Sequence, residues 1–202
     1  MERWRQVPSA VVADIIHDSS IDPAIRPLRP AGQQPRLFGP ALTIKCEGHD
    51  VGVLIRALDL LNKGDVLVID GGALRDRALI GEILCGHARQ RGAVGIVCDG
   101  AVRDSAELVK WEDFSVFSRF IAAQGPSIGA AGQLNVPVLI GGTTVFPGDI
   151  IIGDDDGLTV VRPEQLNVFI DAANAKLKKE DVWKHSLKTG TSACETFGLT
   201  PR

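Results

Sequence analysis

The stretch from Gly81 to Glu107, GEILCGHARQRGAVGIVCDGAVRDSAE, constrains this chain more than any other. Ile83, Leu84 and His87 recur at helical spacing, so the spacing predicts a helix from Glu82 to Gln90. Gly92 ends it, and Ala93 to Cys98 reads as a short buried strand. A helix feeding a strand returns the start of one and the end of the other to the same sheet edge. In α/β proteins that edge is where ligands bind. Gly81-Glu82 stands at the helix start, where backbone N–H groups lack intrahelical acceptors. Arg103-Asp104 stands just past the strand, with Glu107 three residues on. Free N–H groups, a guanidinium and carboxylates can thus converge on one pocket, suited to an anionic substrate and a hard metal ion. The same residues also make an ordinary helix start and an ordinary surface turn. Taken alone, they leave both readings open.

Composition narrows the function classes. At 202 residues the chain fits one domain, and no internal linker divides it. Its net charge of −3 gives no attraction for nucleic acid or an anionic membrane. Tyrosine is absent and aromatics reach only 5%, which argues against a base-stacking surface. Cys46, Cys85, Cys98 and Cys194 match no zinc or redox spacing. Cys46 and Cys98 fall in apolar strands, where buried thiols are the rule. No secretory leader and no bilayer-length apolar run is visible, so the expected location is the cytoplasm, with reduced thiols.

In chain order, Ser9 to His17 reads as a first helix with Ser9 as its N-cap. Four prolines between Asp22 and Pro35 exclude regular helix there. Phe38 to Glu47 contains a strand, Val51 to Leu61 an amphipathic helix, and Val66 to Ile69 an apolar strand running into Gly71-Gly72. Val116 to Ser118 is a further strand, and Ala122 to Asn135 is a glycine-rich loop. Strands follow at Val136 to Ile140, Asp149 to Ile152 and Leu158 to Val161. Asp154-Asp155-Asp156 lacks the alternate ligands of a calcium loop and reads as a tight hairpin turn. Gly64-Asp65 and Gly148-Asp149 both precede apolar strands and read as two similar strand entries. A final helix runs from about Pro163 to Leu187, followed by a tail, 188–202, whose Phe197 and Leu199 are suited to dock on a neighbouring surface. Helices alternating with strands early, and strands clustering late, argue for a mixed α/β domain.

These blocks identify a resemblance. Phe38-Gly39-Pro40-Ala41, Gly64 to Val68, Gly81 to Leu84, Arg103-Asp104 with Glu107, and Gly148-Asp149 through Gly157 resemble the RraA-like family over Val11 to about Leu187. That family contains class II pyruvate aldolases acting on 4-hydroxy-4-methyl-2-oxoglutarate or 4-carboxy-4-hydroxy-2-oxoadipate, and regulators of ribonuclease activity. Its site pattern is an acid, twenty residues, Arg-Asp, then an acid three residues on. Glu82, Arg103, Asp104 and Glu107 match it. The resemblance implies an αββα sandwich of the swivelling-domain type, with mixed sheets, assembled as a homotrimer or hexamer.

It further implies that Asp104 ligates Mg²⁺ or Mn²⁺ and that Arg103 binds the keto oxygen of a pyruvyl unit and steadies its enolate. The N–H groups from Gly81, Glu82 and Ile83 to Leu84 would hold the substrate carboxylate, and Glu82 would orient a water at the metal. A last carboxylate, Glu180, would come from the C-terminal helix of a neighbouring subunit. Glu82 departs from the aspartate usual in these aldolases, which puts substrate preference and rate in question. For Glu107 a structural bond to Arg103 or to backbone is expected. The implied activity is metal-dependent cleavage of 4-hydroxy-2-oxo acids to release pyruvate, with oxaloacetate decarboxylation beside it. The alternative is a protein that binds and inhibits an endoribonuclease. Such regulators often lack the long C-terminal helix, which favours the enzyme here. A methyltransferase ranks last of the three readings, for want of a glycine-rich nucleotide loop after the first strand and of an adenosine-binding acid in the expected place.

Overall fold

The computed structural model describes residues 1–200. A 3-10 turn, Glu2–Trp4, and helix α1 (Ser9–Ile15) open the chain. Strands β1 (Arg26–Pro27) and β2 (Leu37–Lys45) follow, then α2 (Gly52–Leu58), β3 (Val66–Asp70), β4 (Ala78–Ile80) and α3 (Glu82–Gln90). Next come β5 (Gly95–Val102), a single turn α4 (Ser105–Leu108) and β6 (Ser115–Ile121). Short strands β7 (Gln133–Leu134), β8 (Val138–Ile140) and β9 (Thr143–Val145) precede the hairpin of β10 (Ile150–Asp154) and β11 (Gly157–Val161). Helices α5 (Gln165–Lys188) and α6 (Ala193–Thr196) close the chain.

Side-chain alternation stacks these elements into layers. β2, β3, β5 and β6 pair in parallel, and β2 also pairs antiparallel with β10. Leu67 and Ile69 of β3, with Ile96 and Cys98 of β5, pack under α2 and α3. Val66, Val68 and Val97 point the other way, onto Ile151, Leu158 and Val160 of the hairpin and onto the β8–β9 pair. Ile150, Ile152 and Val161 show the hairpin's far face to α1 and α5. The order is therefore helices, sheet, sheet, helices, with one mixed sheet curling over itself. Strands buried on both faces need such cover on both sides.

Ser9 does not cap α1. Pro8 holds the cap position, and the Ser9 N–H and Oγ donate to the Asp154 carboxylate at 2.8 and 2.5 Å. Helix α1 also ends at Ile15 rather than His17. The acidic segment is the tight hairpin turn its sequence predicts, with Asp154 opposite Gly157. Its carboxylates hold the chain together: Asp155 accepts from the Gly32 N–H at 2.9 Å. The two Gly-Asp entries form the same turn. Gly64 (φ +94°) and Gly148 (φ +83°) take the left-handed conformation that suits glycine. Each following aspartate accepts from the N–H three residues back, Asp65 from Asn62 and Asp149 from Phe146, both at 2.8 Å.

The tail folds back on its own helix, with Phe197 edge-on to Trp183 at 5.1 Å. Residues 201–202 of that tail lie outside the described residues. Among the described residues no helix is long and apolar enough to cross a membrane.

Candidate active site

The site exists because β4 lies beside β5. Three buried residues suffice for this strand, and Arg103 N–H donates to the Ile80 carbonyl at 3.0 Å just past the pairing. Helix α3 leaves β4 through Gly81, so its first turn stands next to the end of β5. Asp104 then takes φ 57°, ψ 32°, a left-handed conformation that costs a non-glycine residue about 1–2 kcal/mol. The turn carries its carboxylate back across the start of α3. Oδ2 accepts the Glu82 N–H at 3.0 Å, and Arg103 Nε lies 3.5 Å from the same oxygen.

Gly81 is required for space rather than for backbone freedom. Its φ of −151° is ordinary extended backbone. A Cβ there would collide with Asp104 Oδ2 and reach 2.7 Å from Arg103 Cγ. The N–H groups of Ile83 and Leu84, in the first turn of α3, have no intrahelical acceptor. They border a cleft of about 320 Å³ lined by Ile55, Ile83, Leu84, Pro126 and Ile128, with Arg103 as its single charged side chain among the described residues.

One wall of this cleft is the glycine-rich loop. Asp50 clasps it: Oδ1 accepts from Gly52 and Gly129 N–H, both at 2.8 Å, and Oδ2 from Ala131 N–H at 3.1 Å. These donors hold the Asp50 carboxyl below the usual carboxylate range, Gly52 most strongly. Gly125 sits against the guanidinium, and a Cβ there would come within 2.6 Å of Arg103 Nη1.

Of the residues singled out by sequence, the fold brings together Gly81, Ile83, Leu84, Arg103 and Asp104. Glu82 contributes its backbone to this cluster, while its exposed side chain lines an adjoining groove with His87, Arg89 and Trp111. Glu107 bonds neither Arg103 nor the backbone through its carboxylate. It accepts from Lys110 Nζ at 2.5 Å, and that contact lowers its pKa. One helical turn lies between the two, so the nearer cation wins. Glu180 is not brought to the cleft within the chain, because α5 packs on α1, α6 and the N-terminal turn in the opposite helix layer. Cys85 lies buried under the first turn of α3, where burial, and then the Asp104 charge, push its thiol well up.

Sequence reasoning missed Asp50 and the ion pair of buried Asp99 with partly exposed Arg119. Arg119 donates to Asp99 at 2.6 Å and to Asp22 at 2.7 Å. Asp50-x-Gly52 before a helix was a readable turn signal. Nothing in sequence could tie it to residues 129 and 131.

Among the described residues no group of three or more His, Cys, Asp or Glu could hold a metal, so an ion here would rest on Asp104 and water. One Asp104 oxygen is committed to Glu82 and no protein donor among the described residues reaches the other. A single carboxylate, 38% exposed and open to water, suits a magnesium-like ion that keeps most of its waters.

The RraA-like family, described as Aldolase/RraA, matches residues 9–160. The chain belongs to the RraA-like family. A family relative from Halalkalibacterium halodurans, named "Putative 4-hydroxy-4-methyl-2-oxoglutarate aldolase", is 28% identical over 196 residues, covering 96% of this chain and 91% of that one. Among solved structures, an uncharacterized protein from Pseudomonas syringae pv. tomato superposes with a TM-score of 0.82 at 22% identity, covering 96% of this chain and 94% of that one. The RNA-processing inhibitor RraA of Thermus thermophilus gives 0.70 at 24% identity, covering 78% and 93%. At these identities the two structures establish the fold, which is the mixed α/β fold of RraA-like proteins.

Proposed function

We propose that this RraA-like protein is a divalent-metal-dependent carbon–carbon lyase. It cleaves 4-hydroxy-2-oxo acids to release pyruvate and decarboxylates oxaloacetate as a second activity. The observation that carries the reading is the Asp104 Oδ2 to Glu82 N–H contact with Arg103 beside it. It supports a site in which the Arg103 guanidinium and free helix N–H groups face the cleft, with the Asp104 carboxylate next to them against Glu82.

In this reading the Ile83 and Leu84 N–H groups receive the substrate carboxylate at a helix N-terminus. The Arg103 guanidinium donates to the 2-oxo oxygen, where negative charge grows as the C3–C4 bond breaks. The C4 hydroxyl proton leaves to a base and its oxygen becomes the carbonyl of the departing product. The C3–C4 electron pair becomes the enolate of pyruvate, which takes a proton at C3. Glu82, on the exposed first turn, relays protons through water. Asp104 holds the divalent ion, Mg²⁺ or Mn²⁺, which when bound supplies Lewis-acid stabilisation of that growing charge. Glu180 of a neighbouring copy completes the site in a trimer or hexamer, working in the cytoplasm on small 2-oxo acids.

The test is pyruvate release from 4-hydroxy-2-oxo acids and oxaloacetate, with Mg²⁺ and after EDTA. Turnover restored by Mg²⁺ or Mn²⁺ supports the reading. No turnover of any 2-oxo acid by folded, metal-supplied protein overturns it and leaves the endoribonuclease-binding alternative.

A further inference from the structure

An arginine side chain has several free torsions, and its planar fork meets an oxygen correctly only when they are set. Within this chain backbone sets them for Arg103. Among the described residues no carbonyl or carboxylate accepts a hydrogen bond from its guanidinium, and Asp104 Oδ2 stands 3.5 Å from Nε. Two glycines flank the side chain instead. A Cβ on Gly81 would come within 2.7 Å of Arg103 Cγ and 3.2 Å of Nε, and one on Gly125 within 2.6 Å of Nη1 and 3.5 Å of Cζ. The stem thus runs against one backbone and the fork against another. Gly81 is held as the N-cap of α3. Gly125 is pinned on both sides. Before it, the Ala78 N–H of β4 donates to the Gln124 carbonyl at 2.8 Å. After it, Ser127 N–H donates to the His49 carbonyl at 2.9 Å and Val51 N–H to the Ser127 carbonyl at 3.1 Å, and the Asp50 clasp then takes Gly129 and Ala131. All these contacts lie within one chain, so none depends on whether a neighbouring copy covers the cleft.

We infer that Gly125 and Asp50 are positioning residues for Arg103: the bare backbone at Gly125 seats the guanidinium, and the Asp50 clasp keeps that backbone in place. The inference rests on the lyase reading for the task of the fork, which is donation to the 2-oxo oxygen. A donor already in place when charge grows on that oxygen loses no order at that moment. A misplacement of about 1 Å is enough to cost on the order of a hundredfold in rate. Neither residue has to touch the substrate to act in this way.

A cycle of single and double substitutions tests it. In pyruvate release with Mg²⁺, Gly125→Ala should lower kcat/KM on the order of a hundredfold and Asp50→Ala about tenfold. In an Arg103→Lys background each should cost less than about threefold more, because the fork they place is absent. A merely structural role gives the same loss in both backgrounds, and such additivity overturns the inference. Thermal melts check folding, and Asp50→Asn, which keeps one acceptor oxygen, replaces Asp50→Ala if that variant does not fold. The second arm needs no turnover. The ¹⁵N order parameter of Arg103 Nε, identified by the signal that Arg103→Lys removes, should lie near the rigid value of about 0.85 and fall below about 0.6 in the Asp50 variant. A mobile Arg103 in the wild type, or unchanged order in the variant, overturns the inference. A rigid fork that loosens in the variant, with no pyruvate from any 2-oxo acid, removes the lyase reading and leaves the placement of Arg103 standing. Pyruvate release with additive losses removes this inference alone.

Discussion

The Glu82 N–H donates to Asp104 Oδ2 at 3.0 Å, across 22 residues of chain. The contact joins the first turn of α3 to the end of β5. It also leaves the other Asp104 oxygen without a protein donor among the described residues. Several measurable consequences come from this junction and from the loop facing it.

Gly81→Ala drives a methyl group into Asp104 Oδ2 and the Arg103 side chain. Overpacking of this kind costs roughly 1–3 kcal/mol. The denaturation midpoint should fall accordingly, and pyruvate release should drop on the order of a hundredfold as the junction opens. A normally active, normally stable Gly81→Ala protein would show that the junction is not needed.

Asp104 combines a left-handed backbone with a carboxylate, and substitutions separate the two. Asn tolerates that backbone well, and glycine adopts it without strain. Asp104→Asn should therefore fold with stability near wild type, while Mn²⁺ affinity falls about tenfold or more through loss of the charged ligand. Isothermal titration with Mn²⁺ alone measures this without any turnover. Unchanged affinity would place the ion elsewhere.

Arg103→Lys keeps the charge and loses the planar fork. We expect kcat/KM for pyruvate release to fall about tenfold to a thousandfold, from charge-assisted bonds that the ammonium cannot duplicate. Full activity would make Arg103 a structural residue.

Asp50 predicts an acid-sensitive loop. Its carboxyl is held below its ordinary value of 3.8, chiefly by the Gly52 N–H and then by Gly129 and Ala131. The sign follows from linkage: a depressed folded pKa stabilises above the unfolded value, and that contribution disappears as pH falls through the folded one. Amide exchange at Gly129 and Ala131, corrected for intrinsic rates, should thus accelerate selectively below about pH 4. Asp50→Ala should show the fast rates at every pH. Protection that ignores both acid and the substitution would contradict the clasp.

Asp104→Ala and Glu180→Ala should each be nearly inactive alone if neighbouring copies share the site. Co-refolded at equal concentration, they should regain partial activity, because some interfaces pair an intact Asp104 with an intact Glu180. Mass spectrometry confirms the mixed oligomers. Mixed oligomers without recovered activity, or a fully active Glu180→Ala protein, would rule the shared site out.

The sequence made the core of this arrangement readable where periodicity was strong. Helix α3 runs over the predicted residues, Glu82–Gln90, because its apolar positions and Gly92 set both ends. The acidic hairpin and the paired Gly-Asp turns were legible because glycine and aspartate act locally. Strand β4 was not: three residues after Arg75, Asp76 and Arg77 have no period to detect. Yet β4 is what brings Gly81 beside Arg103. Ser9 reads as a cap because a serine before an apolar run signals one, whereas its partner, Asp154, lies 145 residues away. The β8–β9 hairpin carries a local signal of its own, Gly141-Gly142 between two β-branched runs.

The Asp50 clasp makes the loop exchangeable. Its three anchoring bonds all run to backbone N–H groups, which almost any side chain leaves in place. Gly129 has to stay, since a Cβ there would strike the Asp50 carboxylate. Positions 126 to 128 carry no such restriction from the anchors. New selectivity can therefore be grafted onto those positions while Arg103 and Asp104 stay where they are. For evolution, as for a mutational library, this permits wide drift in what is recognised over a fixed set of reacting groups.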